Sequence, residues 1–439
     1  MEHYLSLGKC IQQQQQPNWS ELPSCLLSEI MDRLNIIDDY VRFSAVCVSW
    51  RTVFIQESLS NKKKHCAFLP FLLIPPRPEQ DDEEENNNYN YYKNNKNIKI
   101  IRWNRKPEPL CLLRGLYSVA REKVYNFQVQ LPNNKYCRGS SFGWLLTIQN
   151  ISEYDSKDYR YIVQLQNPFN NNIIDLPSID NIIDNDGDDT PPKLFLYIHK
   201  AVLSSDPLLT PNNYMVMAIM SCFSKLAFFK HGTKAWVPIQ WEDEEWSYFD
   251  DLIYFNKTQQ FYAVINNTGA VVAIDFNTGG IGGQSDISTP KLTQIAPPTE
   301  KYGFSRKRYI VETSSGDLLQ VIKETEYNES RLATTYQFEV FKLDPVGVKW
   351  IQIHDIGDTS LFLGDNSSIS RCVSGFPGCK PNSIYYINDS NINHQTGWRY
   401  GCEETGIYNL NDVTVQQHYP TAYRKIFPAP IWLEPTLQR

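Results

Sequence analysis

The spacing of apolar residues divides the chain into a short helical part and a long β-rich part. Over residues 18–58, apolar side chains recur every three or four positions, as they do on one face of an α-helix. From about residue 66 onwards, short β-branched and aromatic runs are interrupted by Asn, Asp, Gly or Pro. That second pattern is typical of an all-β sandwich or propeller.

The helical part is predicted to form three short helices. Pro23 suits the first turn of the first helix, and the residues that fall on one face after it are Leu26, Leu27, Ile30, Met31 and Leu34. Asp38 is a suitable N-cap for a second helix and Ser49 for a third. A module of about forty residues buries too little surface to be comfortably stable alone. It also carries more large apolar side chains than one small core can hide, so we expect an obligate partner.

A loose repeat runs through the β-rich part. Its unit is an alternating strand, a polar turn and an apolar residue that begins the return strand. The copies are centred on Leu165, His231, Ile274, Leu343 and Leu410, at intervals of 66, 43, 69 and 67 residues. Propeller blades repeat at about 40–50 residues, so three of the intervals require inserted loops. The repeat favours a β-propeller of six or seven blades, with a pair of irregular β-sandwiches as the alternative.

These changes of pattern suggest an order of domains. Two polar inserts, rich in Asp, Glu and Asn, are expected to form solvated loops at 79–97 and 180–192. The predicted order is a disordered lead-in over 1–17, a helical module over 18–58, a linker over 59–65 and an all-β domain over 66–439.

Composition narrows the class of protein. The chain has 439 residues, of which 41% are hydrophobic, and this excludes a wholly disordered protein. A net charge of −7 argues against an extended nucleic-acid interface. The most apolar stretch, residues 66–74, is too short to span a bilayer, and no secretory signal is visible. We therefore expect a cytoplasmic or nuclear protein whose partners are neither membranes nor nucleic acids.

No catalytic, metal or cofactor site is expected. The ten cysteines lack the close pairs of a zinc site and are interpreted as reduced thiols. The seven histidines are scattered, and neither a His-Glu-x-x-His pair nor a Gly-x-Ser-x-Gly elbow occurs. A propeller hydrolase is thus the least favoured class of function.

Two parts of the sequence resemble one known family. The Leu-Pro pair at 22–23, the apolar helix after it and the Val-Cys-x-x-Trp-Arg run at 46–51 closely resemble the F-box. The segments at 356–368, 376–386 and 427–432 resemble plant F-box proteins that carry a kelch-like propeller. The resemblance implies binding to a Skp adaptor, which is held in turn by cullin and RING subunits. The implied adaptor-binding residues are Leu22, Pro23, Leu26, Ile30, Leu34, Val46, Cys47, Trp50 and Arg51.

The expected function is that of a non-catalytic substrate receptor in a cullin ubiquitin ligase, whose propeller binds a client protein. The alternative keeps the same modules but blocks the client instead of causing its degradation. Trp241 and Trp246 flank four acidic residues and are candidate client contacts, since aromatic residues dominate interface energetics. They could equally pack on blade edges beneath a solvated acidic turn.

Overall fold

The computed structural model divides the chain into two compact units, the first ending at Phe68 and the second beginning at Leu69. Among the expected features, the lead-in over 1–17, both inserts, Trp241 and Trp246 lie outside the described residues. The structure describes residues 19–34, 37–60, 69–74, 114–129, 131–132, 135–151, 160–179, 198–220, 224–240, 248–276, 290–299, 306–327, 333–376, 378–387, 405–416, 418 and 430–435.

The first unit is helical, as predicted. A 3-10 turn at Trp19–Glu21 precedes α1 (Ser24–Asp32), α2 (Ile37–Ala45) and α3 (Val48–Ser60). The N-caps predicted for the second and third helices are wrong, and Pro23 lies one position before the first turn of its helix. Pro23 is the N-cap of α1, where its carbonyl accepts the Leu26 and Leu27 amides at 3.0 and 3.1 Å. Asp38 and Ser49 each lie inside the first turn of their helix, because α2 and α3 begin two residues earlier than N-caps at these positions would require.

Among the side chains that the structure describes, six apolar ones form the buried core of this helical unit. Hydrogen bonds connect its parts: the Tyr40 hydroxyl donates to the Leu34 carbonyl at 2.8 Å, and the Ser28 hydroxyl donates to Glu57 at 2.9 Å. Burial, followed by the charge of Asp32, raises the pKa of Tyr40 to about 12, so its hydroxyl stays a donor at physiological pH. The core residues are Leu27, Met31, Tyr40, Phe43, Val53 and Phe54.

The second unit is a β-propeller of six blades, which confirms the fold predicted from the repeat. Blades 1 to 3 comprise β1 (Phe71–Ile74), β2 (Arg114–Ser118), β3 (Lys123–Val129), β4 (Lys135–Ser141), β5 (Trp144–Asn150), β6 (Tyr161–Gln166), β7 (Ile173–Leu176), β8 (Ile198–Leu203), β9 (Met215–Met220), β10 (Lys225–Lys230) and β11 (Val237–Pro238). Blades 4 and 5 comprise β12 (Phe249–Phe255), β13 (Gln260–Ile265), β14 (Val271–Asp275), β15 (Lys291–Ala296), β16 (Arg306–Glu312), β17 (Leu318–Tyr327), β18 (Ala333–Asp344) and β19 (Lys349–Ile353). Blade 6 and the closing strand comprise β20 (Thr359–Gly364), β21 (Ser367–Cys372), β22 (Ser383–Ile387), β23 (Thr405–Asn409), β24 (Thr414–Gln416) and β25 (Ile431–Leu433).

Both ends of the β-rich part contribute to blade 1. The last strand, β25, pairs antiparallel with β1 and becomes the innermost strand of the order β25-β1-β2-β3. Among the inner strands, β4 contacts β8, β8 contacts β12, β12 contacts β16, β16 contacts β21, and β25 contacts β4. The Ser367 hydroxyl of β21 donates to the Trp432 carbonyl of β25 at 3.2 Å, which completes the ring. The ring is therefore closed by the C-terminal strand.

Blade 6 departs from the pattern of the others. It has five strands in the order β21-β20-β22-β23-β24, and β20 runs parallel to β22. Asn382 holds the irregular connection in a left-handed conformation with φ of 48°. Its amide donates to the Gly357 and Thr359 carbonyls at 3.0 and 2.9 Å, and its side chain accepts the Ile356 amide at 2.9 Å.

The repeat seen in the sequence corresponds to the outer part of each blade. Leu165, Ile274 and Leu343 lie in β6, β14 and β18, while His231 and Leu410 follow β10 and β23 directly. Each of these strands pairs with the outermost strand of its blade. Five blades were thus located from the sequence. The sixth was missed because its strands come from both ends of the domain.

The core of the propeller lies between the blades. Blades 2 and 3, for example, enclose a cluster that includes Trp144, Val163 and Phe229. Tryptophan side chains also form hydrogen bonds between blades. Trp236, beside the outer strand of blade 3, donates to the Pro177 carbonyl after blade 2 at 3.0 Å. In the described part of the chain, no helix has the length and apolar character needed to cross a membrane.

Candidate functional site

Helix α1 presents two apolar stripes that face different surroundings. Leu27 and Met31, four positions apart, are 1% and 0% exposed and belong to the core. Leu26 and Ile30, on the neighbouring stripe, remain accessible, and Leu26 is 43% exposed. The sequence had placed all these residues on one face, since its periodicity cannot distinguish an internal stripe from one left for a partner.

The junction between α2 and α3 is also apolar and accessible. Val46 is 51% exposed and Cys47 is half-buried. Val48 is 77% exposed and Trp19 is 57% exposed. Neither Val48 nor Trp19 had been singled out from the sequence, although Val48 falls at an unspecified position of the Val-Cys-x-x-Trp-Arg motif.

Trp50 and Arg51 are held in place at the start of α3. The Trp50 ring lies 4.6 Å from the Phe43 ring, and its indole N–H donates to the Trp19 carbonyl at 2.9 Å. Arg51 is exposed and donates to the Ser44 carbonyl at 3.2 Å. These contacts fix two large side chains at the surface, an arrangement suited to binding a protein.

The residues implied by the family resemblance share one property. Each is exposed or half-buried, and none belongs to the buried core of the helical unit. They are Leu22, Pro23, Leu26, Ile30, Leu34, Val46, Cys47, Trp50 and Arg51. Since apolar side chains are normally the ones that a small module hides, their accessibility indicates a protein-binding surface.

The axis of the propeller is occupied by a buried ionic cluster. The Lys200 ammonium donates to Asp251 at 2.5 Å and to the Ser368 hydroxyl at 3.0 Å. Asp251 also accepts the Ser368 hydroxyl at 2.6 Å and the Ile310 amide at 2.9 Å. These residues come from the inner strands of blades 3, 4, 5 and 6, so side chains fill the axis at this level.

A second buried carboxylate, Asp250, joins blades 4 and 5. It accepts the Asn266 amide at 2.7 Å and lies 3.8 Å from the Arg308 guanidinium. Burial raises the pKa of Asp250, and the charges of Lys307 and Arg308 and the bond from Asn266 oppose that rise. Asp250 and Asp251 are thus engaged in holding inner strands together.

Cysteine and metal chemistry can be described for part of the chain. Five described cysteines are free, namely Cys25, Cys47, Cys137, Cys372 and Cys379. Within the described ranges, no group of three or more His, Cys, Asp or Glu residues is arranged to hold a metal ion.

Comparisons with known proteins identify the class of both units. Residues 19–60 match the F-box domain, and residues 116–409 match the KIB1-4 beta-propeller. Among curated relatives, F-box protein At2g26160 of Arabidopsis thaliana is 22% identical, over 85% of this chain and 97% of that protein. F-box protein SKIP23 of the same plant is 24% identical, over 84% of each chain.

A solved structure of a Lactobacillus plantarum protein is 10% identical, over 75% of this chain and 96% of that one. Its TM-score is 0.35, which is too low to support any conclusion.

The two matches define an F-box protein, a class whose members are typically non-catalytic subunits of cullin ligases and whose F-box implies binding to a Skp adaptor. More specifically, the chain belongs to the family of F-box proteins with a KIB1-4 beta-propeller and is related to Arabidopsis F-box proteins.

Proposed function

We propose that this protein is the substrate receptor of a Skp–cullin–F-box ubiquitin ligase. Its F-box binds the adaptor and its propeller binds a client protein for ubiquitination, in the cytoplasm, the nucleus or both. The observation that carries the proposal is the accessible apolar stripe of α1 beside its buried stripe, exemplified by Leu26 at 43% exposure and Leu27 at 1%.

In this proposal each domain has a separate role. Residues 18–58 bind the adaptor, residues 59–65 act as a linker and residues 66–439 bind the client. The adaptor-binding residues are those that the family motif marks and that the structure leaves accessible. From the sequence alone, Trp241 and Trp246 are kept as proposed client contacts.

Adaptor binding is tested by substitution of accessible residues in the full chain. Leu26→Asp introduces a charge into the stripe with little cost to the fold, because the side chain is already partly in water. Changes at interface anchors often cost more than about 2 kcal/mol, so we expect affinity for the purified Skp adaptor to fall more than about thirtyfold. The Leu22→Ala/Pro23→Ala pair should weaken binding in the same direction.

The matched control is Gln56→Asp, which adds the same charge at an exposed position of α3 outside the proposed surface. It should bind the adaptor as the unaltered chain does. Adaptor binding by a folded Leu26→Asp variant at unaltered affinity would contradict the assignment.

A further inference from the structure

Neighbouring loops of blades 2 and 3 present apolar and basic side chains together. This loop surface consists of Phe142, Leu208, Leu209, Lys230 and Lys234. Phe142 is 37% exposed, Leu208 40% and Leu209 52%. Both lysines are exposed: Lys230 is the last residue of β10, and Lys234 lies in the turn that follows.

Hydrogen bonds hold the parts of this loop surface close to one another. Asp206 accepts the Trp144 indole N–H at 3.0 Å and the Leu208 amide at 2.9 Å, which connects the loop after β8 to the turn that carries Phe142. The His231 amide donates to the Tyr214 carbonyl at 3.1 Å, which connects the lysine turn to the same loop. The loop surface therefore has a defined shape before any partner binds.

Phe142 occupies a backbone conformation that a large residue seldom adopts. It forms a two-residue turn with Gly143 between β4 and β5, and the φ angles are 54° and 81°. Such turns favour Asn-Gly, because both central residues need positive φ. A bulky residue held there carries strain of about 1–3 kcal/mol, and strain of this kind clusters at functional sites. Here the strained turn holds an aromatic ring partly in solvent.

The charge of the loop surface is opposite to that of the whole chain, whose net charge is −7. The loops at 204–214 and 230–235 contain one acidic residue, Asp206, and it is buried and engaged by two donors. Lys230 and Lys234 form no ion pair within the described residues. A basic, apolar surface on an acidic protein complements an acidic segment that carries apolar side chains.

We infer that the loop surface binds an acidic peptide segment of a partner protein, with apolar side chains of that segment seated on Phe142, Leu208 and Leu209. This inference rests on the proposed function, since the partner would be the client, and it specifies the client's chemistry. The surface is separate in sequence from Trp241 and Trp246.

The test uses random peptides displayed on phage and selected on the intact chain. Selected peptides should be enriched in Asp and Glu together with Leu, Ile, Phe or Trp. A fluorescein-labelled copy of the most enriched peptide should bind at least about tenfold more weakly to Lys230→Glu/Lys234→Glu. Its affinity for Leu208→Ser/Leu209→Ser should fall by a similar factor.

The matched control is Val346→Ser/Lys349→Glu, which alters an exposed apolar and basic turn of blade 5. It should leave the labelled peptide's affinity unchanged. Adaptor binding is measured on the unaltered chain and on every variant. If the unaltered chain does not bind the adaptor, the proposed function fails, and this outcome is independent of the peptide measurements.

Four results would overturn the inference. The first two are enrichment of peptides that lack acidic residues and no enrichment at all. The third is an affinity of the labelled peptide for Lys230→Glu/Lys234→Glu equal to its affinity for the unaltered chain. The fourth is binding of polyglutamate or of phosphatidylserine vesicles to the unaltered chain as tight as that of the labelled peptide. The last would show that charge alone, without apolar recognition, explains the surface.

Discussion

Leu26 and Leu27 are neighbours in the chain, yet their side chains lie in different surroundings. Leu27 packs in the small helical core, whereas Leu26 is left partly in water. A helix places consecutive residues about 100° apart, so one turn can serve an internal core and an external partner at once. At the residue scale, the F-box thus contains packing positions, such as Leu27, beside accessible positions, such as Leu26, which we propose bind the adaptor.

The two leucines should respond differently to substitution. Leu27→Ala removes buried methyl groups and should destabilise the helical unit by about 2–5 kcal/mol, whereas Leu26→Asp should leave its stability nearly unchanged. Hydrogen exchange measured by mass spectrometry over residues 24–34 of the full chain checks this. Loss of protection in both variants, or in neither, would contradict the division.

Burial also distinguishes two cysteines of blade 6. Burial raises the pKa of the Cys379 thiol to about 12, and its hydrogen bond with Tyr385 only partly opposes that rise. Cys372 is exposed. At pH 9, about one Cys379 side chain in a thousand would be the reactive thiolate. Iodoacetamide should therefore modify Cys372 in the native chain and Cys379 only after unfolding in urea. Equal native rates would contradict the described burial.

At the scale of elements, equivalent tryptophans connect neighbouring blades. Trp236 donates to the Pro177 carbonyl at 3.0 Å, and Trp350 donates to the Pro297 carbonyl at 2.8 Å. In both cases the indole beside an outer strand reaches the proline after the outer strand of the preceding blade. The two sites differ in burial: Trp236 is 1% exposed, whereas Trp350 is only partly buried.

Removing the indole N–H should therefore cost more at one site than at the other. Trp236→Phe removes the donor from a side chain that is 1% exposed and should lower the free energy of unfolding by about 1–3 kcal/mol. Trp350→Phe should cost less, because water can replace the donor. Urea unfolding followed by circular dichroism measures both. A larger loss for Trp350→Phe would contradict this account.

Much of the element order could be predicted from the sequence, for identifiable reasons. The repeat marked five outer hairpins because each has an apolar strand, a polar turn and a return strand. It could not show that β25 pairs with β1, since no local pattern specifies a contact between the two ends of a domain. It also gave no sign of the parallel pair β20 and β22, which depends on the left-handed Asn382. Helical periodicity also could not predict which apolar stripe of α1 is buried, because that depends on how α1 packs against α3.

At the scale of the whole molecule, the propeller depends on its C-terminal strand. Trp432 in β25 is fully buried and donates to the Leu363 carbonyl of blade 6 at 3.1 Å. Its ring also contacts Phe362, with centroids 5.2 Å apart. This strand therefore joins blade 1 to blade 6.

Deletion of residues 430–439 should open the ring and expose the inner side of β1. We expect loss of cooperative unfolding and strong binding of the dye anilinonaphthalene sulfonate, which reports exposed apolar surface. Deletion of residues 436–439 alone, which spares β25, is the control and should unfold as the full chain does. A cooperative transition in the larger deletion would show that the ring closes without β25.

The central claim is that one molecule binds the adaptor through its F-box and directs ubiquitin to a client held by its propeller. The most direct measurement is quantitative profiling of ubiquitin-modified lysines in plant cells under proteasome inhibition. Cells should express the full chain, its Leu26→Asp variant or residues 66–439. The account predicts a protein captured by all three whose ubiquitination rises only with the full chain and whose half-life, measured without the inhibitor, is lengthened by residues 66–439. A captured protein whose ubiquitination and half-life are the same in all three would contradict degradation and favour a receptor that blocks its client.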